Sequence, residues 1–80
     1  MPKRSSLTAR ERRFVIVYAR TDNASQAFVE AGYPRKATHE QTGAAASRLR
    51  KRPLIAEAIA LERQLFRERL EVLLYRAGLR

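Results

Sequence analysis

The sequence has no cysteine and no tryptophan, and it has one histidine and three glycines among its 80 residues. Without cysteine no disulfide can form, and a lone histidine cannot supply the ligands of a zinc site. The glycines, at positions 32, 43 and 78, are too far apart for a phosphate-binding loop. No nucleophile, base and orienting group can be combined either. The sequence therefore predicts a protein that has no metal or cofactor and is not an enzyme.

Long apolar runs are also missing. The longest notable run, residues 14–19, is too short to cross a bilayer, and the polar start MPKRSS lacks the apolar core of a secretory signal. A chain of 80 residues buries only about 60–65% of its unfolded surface, so association between chains is a common support for such a small core. These absences fit a cytoplasmic protein that does not enter a membrane.

Acidic residues are few relative to basic ones, eight against seventeen, which gives a formal net charge of +9. Residues 1–20 hold six basic and one acidic residue, residues 21–52 hold six and three, and the remainder holds five and four. The excess therefore lies in the first two-thirds of the chain. A basic domain of this kind usually binds a polyanion by neutralising phosphates. The simpler alternative is a basic surface that only keeps the protein in solution.

The chain begins with a basic segment. Residues 1–6 are polar and are predicted to form a flexible arm. Within it, Lys3 and Arg4 can follow a DNA backbone, as N-terminal arms do in some DNA-binding domains. The alternative is a disordered terminus without a ligand.

The first helix is predicted to begin after Thr8. Thr8 and Glu11 have the spacing of a capping box, and the helix should end near residue 21. Phe14 and Tyr18 are spaced to face the core. The outward side carries two candidate phosphate ligands, Arg10 and Arg13.

A second, shorter helix and a turn follow. Asn23 and Gln26 repeat the capping-box spacing, and Gly32 stands where a left-handed residue would end the helix. Pro34 can open the next helix, because the first helical position needs no N–H. Two helices joined by a short glycine-containing turn, the second of them basic, predict a helix-turn-helix that places its second helix in a DNA major groove.

The predicted recognition helix covers about residues 35–51. We assign to its core side a line of small or apolar residues: Ala37, Gln41, Ala44, Ala45 and Leu49. The opposite line carries the candidate DNA ligands: Arg35, His39 and Thr42 together with Ala46, flanked by Lys36 and Thr38. Arg35 can pair with guanine or hold a phosphate, and His39 and Thr42 can reach base edges or phosphates. Alternatively, these groups only keep the helix surface soluble.

The last predicted helix is long. Pro53 can begin it, and residues 54–77 contain no further proline or glycine. Its length of roughly 35 Å exceeds what a three-helix head needs for its own core. The first half is expected to close the head. The second half is expected to contact a neighbouring subunit through Leu65, Phe66, Leu70, Leu73, Leu74 and Ala77. The alternatives are a helix that folds back on its own domain and a chain cut from a longer protein.

The predicted architecture is therefore all-α. It consists of a flexible arm at residues 1–6, a three-helix helix-turn-helix head at residues 7–52, and a long amphipathic helix at residues 53–80 that closes the head and mediates oligomerisation. From the residues alone, two other functions stay open. One is a small dimeric helix-turn-helix transcriptional regulator, and the other is a protein-interaction adaptor that acts through its C-terminal helix.

Several short motifs, in this order and spacing, resemble a known family. The matches are L-T at residues 7–8, F-V at residues 14–15, N-A-S at residues 23–25 and A-G-Y at residues 31–33. A second block, A-S-R-L followed by Pro53, completes them. Over about residues 7–60 the chain is similar to the N-terminal region of the tailed-bacteriophage terminase small subunit.

The resemblance implies a role in viral DNA packaging. A protein of this family would recognise the packaging site on double-stranded phage DNA and assemble as a homo-oligomer that can close into a ring. It would recruit or regulate the terminase large subunit, which holds the ATPase and nuclease. It would work in the host cytoplasm.

Overall fold

A computed structural model describes residues 7–78. Within that range the fold is all-α, as predicted, with helices α1 (Ala9–Thr21), α2 (Ala24–Glu30), α3 (His39–Arg50) and α4 (Pro53–Arg76). α2 packs between α1 and α3, and α4 contacts both α1 and α3. Of the described helices, none combines the length and the apolar character needed to cross a membrane.

α1 begins and ends where the sequence predicts. The Thr8 hydroxyl accepts a hydrogen bond from the Glu11 N–H at 3.1 Å, and the Glu11 carboxylate accepts one from the Thr8 N–H at 2.8 Å. These reciprocal bonds form the capping box and satisfy two backbone donors that the helix itself leaves unpaired. The helix ends at Asp22, which adopts the left-handed conformation with φ +60°.

α2 is capped at its start by Asn23, whose side chain accepts a hydrogen bond from the Gln26 N–H at 3.0 Å. The reciprocal half of the predicted capping box does not form, because the Gln26 side chain donates to the Glu30 carboxylate at 2.7 Å instead. A single capping bond from Asn is nonetheless among the strongest helix-start signals.

The A-G-Y motif ends α2 in a Schellman turn. Gly32 has φ +102° and donates to the Val29 carbonyl at 3.0 Å, while the Tyr33 N–H donates to the Phe28 carbonyl at 3.2 Å. The Tyr33 ring then stacks on the Phe28 ring at a centroid distance of 4.8 Å. The motif therefore needs glycine for its backbone conformation and an aromatic side chain to cover the helix end.

The connection to α3 differs from the prediction. Residues 31–38, the α2–α3 linker, join the two helices, and α3 begins at His39 rather than near residue 35. Thr38 is the N-cap, and its hydroxyl accepts from the Gln41 N–H at 3.0 Å. The Lys36 N–H donates to the Thr42 hydroxyl at 3.0 Å, which holds Lys36 outside the helix. The predictions of a short turn and of a helix start at Pro34 are therefore wrong.

The core lies where the four helices meet. Its buried apolar residues are Phe14, Val15, Ala27, Phe28, Ala31, Ala46, Leu49, Ile55 and Ile59. Phe14 and Ile55 are the largest side chains that are almost completely buried. Phe14, predicted to face the core, is buried, and Tyr18 is partly buried against the core.

The face assigned to α3 is wrong at several positions, although Leu49 is buried and Ala45 packs against the core as predicted. Thr42 and Ala46, predicted to face DNA, are buried, with Thr42 only 6% exposed. Gln41 and Ala44, predicted to face the core, are exposed. Leu49 is the one large apolar residue of α3, and counting back three and seven positions from it gives Ala46 and Thr42.

α4 starts at Pro53 as predicted, and two residues separate it from the end of α3. Its first half closes the head through the buried residues Ile55 and Ile59. Near its middle, the Arg63 guanidinium forms a 2.7 Å ion pair with Asp22. Arg63 also lies over the Tyr18 ring at 5.2 Å, and Arg20 lies over the Phe66 ring at 5.7 Å. These contacts fix α4 against the C-terminal end of α1.

Candidate nucleic-acid interface

The linker brings two of the predicted DNA ligands to the start of α3. Arg35 and Lys36 are exposed and precede the N-cap Thr38 by three and two residues. The bond from the Lys36 N–H uses its backbone, so the ammonium group stays available to a ligand. Unpaired backbone N–H groups at a helix start also favour anions. The two cationic side chains and the N–H groups at the helix start together make this end of α3 suited to binding phosphate.

Arg35 and His39 also line a cleft between α2 and α3. The α2 side of this cleft is polar and includes Asn23, Ser25, Gln26 and Glu30. Thr42 closes its floor, where its hydroxyl holds the linker. The structure therefore brings Arg35, His39 and Thr42 together, but it gives Thr42 a position inside the head rather than on its surface.

α1 carries a face rich in arginine. The cleft along this face is lined by Arg10, Arg12, Arg13 and Arg20, and the other described residues of its lining, Ala9, Ile16, Val17 and Ala31, are all apolar. The Arg13 guanidinium donates to the Glu30 carbonyl at 3.3 Å, which caps the C-terminal end of α2. A guanidinium has five N–H donors, so one such bond leaves others for phosphate oxygens. Arg10 and Arg13, both predicted phosphate ligands, are thus held in defined positions.

The exposed side of α3 carries residues that the sequence interpretation missed. Gln41, Ala44 and Arg48 lie along it, and Lys51 follows at the helix end. The sequence contained a signal for this exposed side. These residues are three or four positions apart, and none of them lies three, four or seven positions from Leu49, which marks the buried side. Small residues such as Ala44 also allow a helix to approach base edges closely.

A second basic cluster, the arginine cleft, lies at the opposite end of α3. Its lining includes Arg10 from α1, Arg48 from α3, and Arg52 from the connection to α4. Glu11 lies in the same cleft and is 3.6 Å from the Arg52 guanidinium. Its apolar wall includes the Tyr33 ring.

The pKa of Tyr33 reflects the surroundings of its hydroxyl in the arginine cleft. Burial raises the pKa of Tyr33 above 10.0, and the Glu11 carboxylate raises it further. Arg52, Arg10 and a hydrogen bond with the Thr8 side chain act in the opposite direction. Burial therefore outweighs the surrounding positive charge at this position.

The outer half of α4 exposes apolar side chains on two separate stripes. The first stripe continues the buried line of Ile55 and Ile59 through Phe66, Leu70 and Leu73, which are 40%, 44% and 55% exposed. The second stripe begins in the first half of α4 with Leu54 and Leu61 and continues into the outer half with Leu65 and Val72, all exposed. Leu65 and Leu70 are five residues apart, or about 140° around the helix at 3.6 residues per turn.

The remaining predicted oligomerisation residues are at the end of α4. Leu74 is half-buried, and Ala77 is exposed at the C-cap. Lys3 and Arg4 lie outside the described residues. Among the residues that the structure does describe, no group of three His, Cys, Asp or Glu side chains could hold a metal ion.

Comparison with protein families gives a match that covers most of the chain. A family model described as "Terminase small subunit" matches residues 7–74. Searches of the curated proteins and of the solved structures found no significant match. The match extends from the capping box of α1 into the outer half of α4, so it includes every described helix of the head.

Proposed function

The chain belongs to the terminase small-subunit family, and we propose that it is the non-catalytic subunit that binds viral DNA for packaging and assembles with copies of itself. Family membership carries the packaging-related role. The proposals for DNA contact and for assembly rest on the surfaces of the head and of α4.

DNA contact is proposed at the start and along the exposed side of α3. The observation that carries this proposal is the position of Arg35 and Lys36, which the bond between the Lys36 N–H and the Thr42 hydroxyl holds beside the first turn of α3. His39 and Gln41 follow on the exposed surface, where they can reach base edges. Thr42 acts in this proposal as a positioning residue, because its side chain is inside the head.

The test is DNA affinity as a function of salt, measured by fluorescence anisotropy on a labelled duplex. Arg35→Ala combined with Lys36→Ala should weaken binding and reduce the slope of log affinity against log salt by about 0.9 for each phosphate that the variant no longer neutralises. Arg67→Ala is the control. It also removes positive charge, but Arg67 lies on α4 beyond the residues that pack against the head. Circular dichroism establishes that each variant is folded. Unchanged affinity of the double variant at low salt would refute this assignment.

Assembly is proposed through the outer half of α4. Two apolar stripes about 140° apart can bind two different neighbours, one on each side, which is how a head-to-tail contact propagates into a ring. A two-fold dimer, expected of the alternative transcriptional regulator, would need only one stripe. The two stripes therefore favour the packaging role over the regulator.

Two single variants separate these cases. Leu65→Glu disrupts one stripe and Leu70→Glu disrupts the other, and both residues are exposed, so the head should stay folded. Light scattering should find each variant monomeric where the wild type is larger. An equal mixture of the two should give a one-to-one pair, because one intact interface can still form and the assembly stops there. A mixture that stays monomeric would exclude the head-to-tail arrangement.

Within the packaging machine, the proposed partner is the terminase large subunit, which the assembled small subunit recruits or regulates in the host cytoplasm. Catalysis is assigned to that partner. Co-purification of the large subunit with the wild type, and its absence with a variant that still binds DNA, would identify the part of the chain that recruits it.

A further inference from the structure

We propose that Arg48, with Arg10 and Arg52, forms a second site for backbone phosphates, so that both ends of α3 are anchored to a DNA duplex. This inference rests on the proposed DNA-binding function and extends it to the arginine cleft. It assigns a ligand to Arg48 and Arg52, which sequence analysis did not include among the DNA ligands.

The arginine cleft brings together guanidinium groups from three parts of the chain. Arg10 comes from the first turn of α1, Arg48 from the last turn of α3, and Arg52 from the N-cap of α4. Arg48 is exposed, and its side chain forms no hydrogen bond or ion pair with any other described residue. Its donors are therefore available to a ligand, which a guanidinium can bind through two parallel N–H bonds.

α3 is long enough to reach from one wall of a major groove to the other. α3 has 12 residues, so it is about 18 Å long at 1.5 Å per residue. The major groove of B-DNA is about 12 Å wide. A helix that lies in the groove can therefore place Arg35 and Lys36 near one wall and Arg48 near the other. Gln41 and Ala44 lie between these ends on the exposed side.

The cleft suits a phosphate better than a nucleobase. Tyr33 is the less buried of the two aromatic residues that line it, but its ring stacks on Phe28 at 4.8 Å and has the Arg10 guanidinium at 5.6 Å from its centroid. The Tyr33 ring therefore already makes two contacts within the head, whereas the Arg48 side chain makes no hydrogen bond or ion pair with the described residues. The guanidinium groups remain as the ligand-binding groups.

Glu11 is expected to limit the affinity of this site. Its side chain is only 19% exposed, and its carboxylate lies 3.6 Å from Arg52, where it offsets part of the positive charge. Glu11→Gln removes that charge, while the amide oxygen can still accept the capping bond from the Thr8 N–H. This variant should bind the duplex more tightly, by about two- to fivefold at low salt, because a repulsive and competing carboxylate is removed.

The closing experiment measures the salt dependence of duplex binding for Arg48→Ala, Arg48→Lys and Glu11→Gln. Arg48→Ala should reduce the salt slope by about 0.9, and Arg48→Lys should restore most of it, because lysine keeps the charge. A merely structural role for Arg48 would lower thermal stability and leave the slope unchanged. Arg67→Ala again serves as the control.

The outcomes separate this inference from the proposed function. If the wild type shows no salt-dependent duplex binding, the proposed function itself fails. If Arg35→Ala with Lys36→Ala weakens binding but the slope is the same for Arg48→Ala and the wild type, only the second site is refuted. The same holds if Glu11→Gln binds no more tightly than the wild type. An acidic peptide that binds the cleft while DNA binding ignores Arg48 would likewise overturn the assignment to phosphate.

Discussion

Replacing Thr42 by valine tests the role of the buried hydroxyl in positioning the linker. The shape of the side chain is kept, but the Lys36 N–H is deprived of the acceptor that it contacts at 3.0 Å. A hydrogen bond of this kind contributes about 0.5–1.5 kcal/mol. For a domain of this size, a destabilisation of about 1 kcal/mol lowers the melting temperature by about 4–8 °C. Thermal unfolding followed by circular dichroism measures this change.

The same substitution should also weaken DNA binding, although the side chain of residue 42 is inside the head and is proposed only to position the linker. Once released, the linker must be ordered again when Arg35 and Lys36 bind, at a cost of about 1–2 kcal/mol per residue fixed. Such a cost corresponds to a decrease in affinity of about five- to thirtyfold. Anisotropy titrations at constant salt measure it.

Thr42→Ser is the matched control. Serine keeps the hydroxyl and lacks one buried methyl group, which costs about 0.8 kcal/mol. The two variants should therefore be similarly destabilised, and only the valine variant should bind DNA more weakly. Equal affinities in the two variants would refute the positioning role. A serine variant that binds DNA more weakly than the valine variant would instead indicate a direct contact by the threonine side chain.

Three further predictions concern the ends of the helices. The pKa of Tyr33 is raised in the folded state, so its contribution to stability is complete below about pH 10 and is lost as the pH rises through the folded-state pKa. Unfolding free energies measured against pH should show this loss for the wild type and not for Tyr33→Phe. Gly32→Ala should destabilise the domain by about 1–2 kcal/mol, because φ is +102° there, while Arg10 at 3.7 Å leaves room for the methyl group; an unchanged melting temperature would exclude a backbone cost. Asn23→Ala should cost about 1 kcal/mol in chemical denaturation, and Asn23→Asp should cost much less, since aspartate also caps helices.

Much of the fold could be predicted because the local signals agreed with one another. Thr8 and Asn23 cap the helices they precede, Gly32 takes the left-handed conformation, and Pro53 begins α4. Each of these signals acts through backbone groups within a few residues, so no tertiary information was needed. The family motifs largely coincide with these caps and with core residues.

The face of α3 could not be predicted in the same way, and its start was assigned to the wrong residue. Four consecutive small residues, 43–46, give little information about which side is buried, and Leu49 alone sets the phase. The helix start did have a local signal, because Thr38 and Gln41 have the capping-box spacing, but Pro34 offered a competing start. The bond between the Lys36 N–H and the Thr42 hydroxyl, six residues apart, holds Lys36 outside the helix. The sequence interpretation placed Thr42 on the surface, whereas its hydroxyl accepts a hydrogen bond from the Lys36 N–H inside the head.

The residues proposed to bind DNA were only partly predictable for a related reason. Composition indicates that a surface is basic but does not say which cations lie together. Arg10 and Arg48 are far apart in sequence, and the arginine cleft forms only because the fold places the start of α1 and the end of α3 on one cleft. Arg13 shows the reverse case, in which a predicted phosphate ligand also supports the end of α2.

The junction between the head and α4 has a mechanical consequence. Only Lys51 and Arg52 separate α3 from α4, and the ion pair between Arg63 and Asp22 ties the middle of α4 to the end of α1. Within the described residues α4 is therefore packed directly onto the head, so the surface proposed to bind a duplex and the helix proposed to bind neighbours belong to one unit. The tilt of α4 in an assembly would set the angle at which α3 meets the duplex, and adjacent heads would present their recognition surfaces at fixed intervals. The curvature of a bound DNA path would then be determined by the packing of α4.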